Sequence, residues 1–87
     1  MFKNLFSSGA KQDDPNKGLS GNALQFFELG VTLIRSSQWK ESSHQFEQVV
    51  ALVPNHAKSW YNLAVAYYNL EMYDKAAKAA QKAIENQ

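Results

Sequence analysis

Apolar residues recur along this chain at spacings of three and four, which is the period of one face of an α-helix. The spacing i, i+3, i+4, i+7 occurs twice, at Phe26, Leu29, Gly30 and Leu33 and again at Trp60, Leu63, Ala64 and Tyr67. A shorter run follows each of them, formed by Ser42, Phe46 and Val49 and then by Ala76, Ala80 and Ala83. The pattern predicts an all-α fold with helices near residues 22–35, 39–52, 56–70 and 74–86, and these runs as their buried faces.

The two halves of the chain are copies of one pattern, because a shift of 34 residues aligns residues 23–56 with residues 57–87. Aromatic and apolar positions coincide under this shift, for example Phe26 with Trp60, Phe27 with Tyr61, Leu29 with Leu63, Leu33 with Tyr67, Ile34 with Tyr68 and Trp39 with Tyr73. Gly30 coincides with the small Ala64. Since a helical Gly costs about 1 kcal/mol relative to Ala, its position predicts a close crossing of two helices. We expect Trp39 and Tyr73 to wedge between the helices of each pair.

Local signals mark where the helices begin. Asn22 is followed three residues later by Gln25, a spacing similar to a capping box at the first helix. Pro54 and Asn55 stop the first copy, and Asn55 is predicted to cap the next helix, since Asn is a favoured N-cap residue. These signals delimit a two-repeat domain over residues 22–87, preceded by a segment of different character over residues 1–21.

The repeated residues resemble the tetratricopeptide repeat, whose pattern is W-x2-L-G-x2-Y followed by A-x3-F, A and P. The second copy matches it at Trp60, Leu63, Ala64, Tyr67, Ala76 and Ala83, and the first at Phe26, Leu29, Gly30, Leu33, Phe46, Val49 and Pro54. Ser42 and Ala80 depart from it, at an alanine and an aromatic position. The resemblance implies an α-solenoid of two helix-turn-helix hairpins with four antiparallel helices.

The resemblance also implies a function, since the first helices of such repeats line a groove that holds a peptide or a partner's helix. The positions that it assigns to the groove are Leu24, Phe27, Glu28, Val31, Ile34, Arg35, Lys58, Tyr61, Asn62, Val65, Tyr68 and Asn69. Many of these positions are apolar and form a second stripe beside the buried one. An amphipathic surface helix usually needs only one apolar stripe, so the second serves either a ligand or another element of the protein. Some related domains grip a carboxylate with basic and amide side chains. Asn62 matches such a clamp, but Phe27 and Val31 replace its other members, so an apolar ligand fits better.

The C-terminal end of the repeat pair needs a partner or a cap, because repeat arrays generally need about three repeats with polar-faced caps closing their ends. The last helix presents many small residues, and we expect Ala77, Ala80 and Ile84 to take part in self-association or capping. Truncation of a longer protein at Gln87 would explain the same exposure of small residues. Residues 1–21 are rich in Gly and Ser and predict a segment that is flexible or packs onto the repeats. Phe2, Leu5 and Phe6 have helical spacing and leave open a membrane or partner anchor.

Charge and composition exclude several other classes of protein. Nine Lys and Arg against eight Asp and Glu give a formal charge of +1, which offers no electrostatic reason to expect a nucleic-acid partner. The absence of Cys excludes a disulfide framework or a thiolate zinc site. No apolar run approaches the roughly 20 residues that span a bilayer. We therefore expect a cytoplasmic protein.

Candidate catalytic and metal-binding residues are few. His44 and His56 lack neighbouring Cys or carboxylates at ligand spacing, and His56 is interpreted as a surface residue at a helix start. Serines near His44 suggest a nucleophile, but no carboxylate is placed to orient its imidazole. We expect no metal, no cofactor and no enzymatic activity.

Three hypotheses of function follow. The first is a protein-interaction module that binds a peptide or helix in its groove. The second is a self-associating scaffold whose repeats stack between chains, giving a homo-oligomer. The third is a peripheral membrane adaptor that uses the apolar residues near its N-terminus.

Overall fold

A computed structural model describes residues 16–87 of the chain. In that range it contains four α-helices, α1 Gly21–Arg35, α2 Trp39–Leu52, α3 Ala57–Asn69 and α4 Tyr73–Glu85, and no strand. Each helix packs mainly against its neighbours in sequence, so α1 with α2 and α3 with α4 form two hairpins joined through α2 and α3. The all-α fold is confirmed, and every predicted helix boundary lies within one residue of the observed one.

The same turn joins the two helices of each hairpin. Ser37 and Glu71, which are equivalent under the 34-residue shift, both adopt the left-handed region, with φ of 60° and 62°. The residue after each of them donates its backbone N–H to the first helix, from Gln38 to Leu33 at 2.9 Å and from Met72 to Tyr67 at 2.9 Å. These bonds satisfy carbonyl groups at the helix end that would otherwise lack partners.

Gly30 permits the close crossing of α1 and α2 that the sequence predicts. A Cβ atom at residue 30 would lie 2.8 Å from Cζ of Phe46, a side chain with no solvent exposure and so no space to retreat. The second hairpin has Ala64 and Ala80 at the equivalent positions. The small Ala80 on α4 therefore allows alanine at residue 64 of α3. The large Phe46 on α2 requires glycine at residue 30 of α1, so both pairs permit a close helix crossing.

The predicted helix caps were wrong at both places. Helix α1 begins two residues earlier than the capping box requires, with Ser20 at its N-cap and Asn22 inside the helix. At α3 the N-cap is His56 instead of Asn55, and its side chain accepts a hydrogen bond from the backbone N–H of Ser59. Loop geometry decides which residue stands at a helix start, and composition alone placed both caps off by one or two residues.

The buried faces also differ in part from the prediction. The fully buried centre contains Phe46, Val49 and Leu63, and α1 contributes Ala23, Phe27 and Gly30 to the buried set. Leu29, predicted to be buried, is 47% exposed. The prediction that Tyr73 wedges between the helices was wrong as well. Its side chain is 56% exposed, and its ring packs edge-on against that of Tyr68. Trp39 is half-buried.

Residues 16–20 form a turn that leads into the first hairpin. Asn16 accepts a backbone hydrogen bond from Leu19 across a turn at 3.0 Å, and Leu19 packs on the buried core. Lys17 and Gly18 lie beside the loop that joins the two hairpins. The rest of the predicted N-terminal segment, with Phe2, Leu5 and Phe6, lies outside the described residues.

Candidate functional site

The junction between the hairpins is built around His56. Its imidazole packs edge-on against Phe27 of α1, with ring centroids 5.3 Å apart, and Phe27 in turn packs edge-on against Phe46 at 5.8 Å. The Nδ1 atom lies 2.7 Å from Oγ of Ser59 and accepts from the backbone N–H of Ser59 at 3.3 Å. His56 is buried, so its interpretation as a surface residue was wrong. It fixes the first turn of α3 against α1.

Two further hydrogen bonds hold the second hairpin to the first. The indole Nε1 of Trp60 donates to the carbonyl oxygen of Pro54 at 2.7 Å. The hydroxyl of Tyr67 donates to a carboxylate oxygen of Glu47 on α2. Burial of the ring, and then the bond to the Glu47 carboxylate, raise the pKa of Tyr67 well above its ordinary value. The Nζ atom of Lys75 lies 5.5 Å from the centroid of the same ring.

A cavity of about 430 Å³ lies between α1 and α3, and we call it the α1–α3 cavity. Its lining consists of Asn16, Phe27, Glu28, Val31, Thr32, Arg35, Lys58 and Asn62. Val31 provides apolar surface beside the buried ring of Phe27, while Arg35 and Lys58 bring two cations and Glu28 one anion. A site with an apolar part and a few convergent polar groups is typical of ligand-binding clefts.

A second surface lies along α3 and α4, and we call it the terminal face. It contains two adjoining cavities of about 550 and 470 Å³, which share Ala80. Their lining residues are Ala57, Lys58, Tyr61, Ala64, Val65, Tyr68, Tyr73, Ala76, Ala77, Ala80, Ala83, Ile84 and Gln87. Three tyrosines and Ile84 are exposed on this face, and the rings of Tyr68 and Tyr73 pack edge-on at 5.5 Å. The terminal face is predominantly apolar.

Comparison with known proteins gives this architecture a family. A family model described as the tetratricopeptide repeat matches residues 27–87. The chain belongs to the tetratricopeptide repeat family. A stretch of 56 residues, 64% of this chain, is 34% identical to the Intraflagellar transport protein 88 homolog of Homo sapiens. The matched part is 7% of the length of that protein. Tetratricopeptide repeats generally mediate protein–protein interaction, so the chain has a scaffold used for binding proteins.

The residues that the sequence assigned to one groove of these tetratricopeptide hairpins lie on two surfaces. Six line the α1–α3 cavity, namely Phe27, Glu28, Val31, Arg35, Lys58 and Asn62, and Lys58 also reaches the terminal face. Tyr61, Val65 and Tyr68 line the terminal face. Leu24 and Ile34 are half-buried, and exposed Asn69 donates its side-chain amide to the carbonyl of Val65 at 2.9 Å. These last three line neither surface.

The three positions proposed for self-association or capping, Ala77, Ala80 and Ile84, all lie on the terminal face of the tetratricopeptide pair. The structure adds Ala64, Tyr73, Ala76 and Ala83 to that face, together with Thr32 in the α1–α3 cavity. The burial of Val49, the equivalent of Ala83 under the 34-residue shift, shows that a following hairpin covers this position. Helical periodicity by itself does not identify such positions.

One serine–histidine pair occurs in the tetratricopeptide domain, but its geometry is that of a helix cap. Ser59 has no solvent exposure, so no substrate reaches its hydroxyl, and the Nδ1 atom of His56 also accepts a backbone N–H. The serines near His44 bond to backbone carbonyls, as Ser43 does to Lys40 at 2.7 Å. Within residues 16–87, no group of three or more His, Cys, Asp or Glu is arranged to hold a metal ion. No helix in that range is long and apolar enough to cross a membrane.

Proposed function

We propose that this chain is a non-enzymatic interaction module that binds an extended peptide or a helix of a partner protein in the α1–α3 cavity. One observation carries the proposal: the apolar side chain of Val31, beside the buried ring of Phe27, and two cations, Arg35 and Lys58, converge on a single cavity of about 430 Å³. Membership of the tetratricopeptide repeat family supports binding to protein rather than to a small metabolite.

The lining indicates which peptide fits. Apolar contact with Val31 favours a bulky apolar side chain in the ligand, while Lys58 and Arg35 favour an acidic residue beside it. An exposed ion pair contributes only about 0–1 kcal/mol, so the apolar residue supplies most of the affinity and the acidic one directs encounter and register. We assign the amide of Asn62, which lines the same cavity, to a hydrogen bond with the peptide backbone. Phe27 and Val31 stand at positions where a carboxylate clamp has basic and amide side chains.

The proposal requires neither a cofactor nor a metal, and nucleic acid is not among its partners, in keeping with the formal charge of +1. The cytoplasm is the compartment that we propose. The human relative's name refers to intraflagellar transport, but the similarity extends over 56 residues, less than two repeats of 34. This likeness supports binding to a protein and does not identify the partner.

Selection of peptides on the full chain tests the proposal. We expect enrichment of peptides with an acidic residue next to a bulky apolar one, and the Kd of an enriched peptide is then measured by fluorescence anisotropy. Arg35→Glu should weaken this binding at least about tenfold, because each 1.4 kcal/mol changes Kd tenfold and the variant replaces attraction by repulsion. Tyr68→Ala on the terminal face is the matched control and should leave Kd unchanged. Equal binding to both variants, or loss only with Tyr68→Ala, would reject the α1–α3 cavity.

A further inference from the structure

The terminal face is an exposed and mainly apolar surface on α3 and α4. Tyr61, Tyr68 and Ile84 are each more than half exposed there, and the two cavities that they border meet at Ala80. Monomeric proteins rarely leave a contiguous apolar surface of this kind without a partner. The internal symmetry of the chain identifies what covers such a surface.

In the first hairpin the equivalent surface is covered by α3. Phe27, Phe46 and Val49 correspond to Tyr61, Ala80 and Ala83 under the 34-residue shift, and all three are buried beneath the second hairpin. Phe27 is 3% exposed and Tyr61 is 58% exposed. The element that buries this surface inside the chain is the first helix of a following hairpin.

Helix α1 presents the complementary half of that interface. In α3 the stripe Ser59, Leu63 and Ala66 is wholly or almost wholly buried, and the equivalent stripe of α1 is Gln25, Leu29 and Thr32, which is exposed. The α1 stripe contains no charged residue, and Thr32 already donates its hydroxyl to the carbonyl of Glu28 at 3.1 Å. Burying the stripe therefore removes no charge from water and leaves that hydroxyl paired.

The described N-terminal residues leave this stripe accessible. Lys17 and Gly18 lie beside Val53, Asn55 and His56, at the loop between the hairpins, and Asn16 borders the α1–α3 cavity. Leu29 remains 47% exposed with residues 16–20 in place.

We propose that a second copy of this chain seats its α1 on the terminal face, so that chains stack head to tail as the two hairpins stack within one chain. The inference does not depend on the proposed peptide binding, although its two faces share Thr32 and Lys58 with the α1–α3 cavity. Ala80, where the first hairpin has Phe46, leaves room beside Tyr61 and Ile84 for Leu29 of the incoming copy. Such an interface is heterologous and leaves both outer ends free, so it produces open oligomers rather than closed dimers.

Sedimentation velocity of the full chain, from about 10 μM to about 1 mM, tests the stacking over the range of weak to moderate affinities. We expect the average mass to rise with concentration and to pass that of a dimer. Leu29→Glu disrupts the α1 stripe and Ile84→Glu disrupts the terminal face, so each variant alone should stay monomeric. An equimolar mixture of the two retains one intact interface and should form a dimer that grows no further.

Leu52→Glu is the matched control, since Leu52 is 56% exposed and lines neither cavity of the terminal face. It should associate like the unmodified chain. Circular dichroism establishes that each variant folds, and Leu29→Ser with Ile84→Ser provides a milder pair for the same mixing experiment. A monomer at every concentration, a Leu29→Glu variant that still self-associates, or a mixture that stays monomeric would overturn the proposal.

Discussion

The two hairpins share one sequence pattern but bury it differently. Phe27 is buried whereas its equivalent Tyr61 is exposed, and Leu29 is exposed whereas its equivalent Leu63 is 2% exposed. Phe27 is buried because a hairpin follows repeat 1 and covers it. Leu63 is buried because a hairpin precedes repeat 2 and covers it. Position within a tetratricopeptide repeat therefore defines a face, and the neighbouring repeat decides whether that face is core or surface.

The largest effect that tests this comparison is expected at the first pair. Phe27→Ala should lower the free energy of unfolding by about 3–5 kcal/mol, because it leaves a cavity against Phe46 and His56. Tyr61→Ala should change it by no more than about 0.5 kcal/mol, as expected for an exposed site. Urea denaturation followed by circular dichroism, at a concentration where the chain is monomeric, measures both. Similar losses at the two positions would refute the comparison.

The second pair should behave in the opposite order. Leu63→Ala should cost about 2–5 kcal/mol, because Leu63 lies in the buried cluster with Phe46 and Val49. Leu29→Ala should cost less than about 1 kcal/mol, because half of its side chain is already in water and Ala favours a helix. The same denaturation experiment applies. A larger loss for Leu29 than for Leu63 would contradict the burial assigned to the two helices.

A smaller effect is expected at the helix crossing. Gly30→Ala should destabilise by about 1–3 kcal/mol despite the better helix propensity of Ala, since the new Cβ overlaps the ring of Phe46. In a Phe46→Ala background the same change should stabilise by up to about 1 kcal/mol, because it reproduces the Ala64 and Ala80 pair of the second hairpin. The sign reversal is the measurement that matters. Additive effects in the double-mutant cycle would show that the two residues do not meet.

The smallest effect is expected at Tyr67, whose equivalent in the first hairpin is Leu33. Tyr67→Phe should cost about 1 kcal/mol near neutral pH through loss of the bond to Glu47. Because folding raises the pKa of Tyr67, its contribution is complete below the ordinary pKa of about 10 and is lost as the pH rises further. Between pH 8 and pH 11 the urea midpoint should therefore fall more for the unmodified chain than for Tyr67→Phe. A larger fall of the urea midpoint in Tyr67→Phe would be the opposite of this expectation. It would reject the link between the raised pKa of Tyr67 and stability.

Much of the fold was predictable because its signals are periodic. The helical spacing and the 34-residue shift located all four helices, and the small residue at position 30 marked the crossing. The helix caps were not predictable from composition, because Asn55 and His56 are adjacent and only the path of the loop decides which one reaches the N–H of Ser59. The buried role of His56 was missed for the same reason.

The candidate site was predicted less completely than the fold. Helical spacing placed Phe27 and Tyr61 in one groove, and the folded chain separates them onto the α1–α3 cavity and the terminal face. A single-helix pattern contains no information about which neighbouring helix covers a stripe. Comparing equivalent positions in the two hairpins reveals which stripe is covered only when the burial of each residue is known.

The sequence by itself determined that residues 22–87 form two tetratricopeptide hairpins, because helix period, turn position and repeat register are local properties of the chain. The tertiary structure decided which residues of that repeated pattern meet solvent. Burial depends on contacts between hairpins, and among residues 16–87 these contacts are made mainly by α2 and α3. The same residue position is therefore core in one repeat and open binding surface in the other.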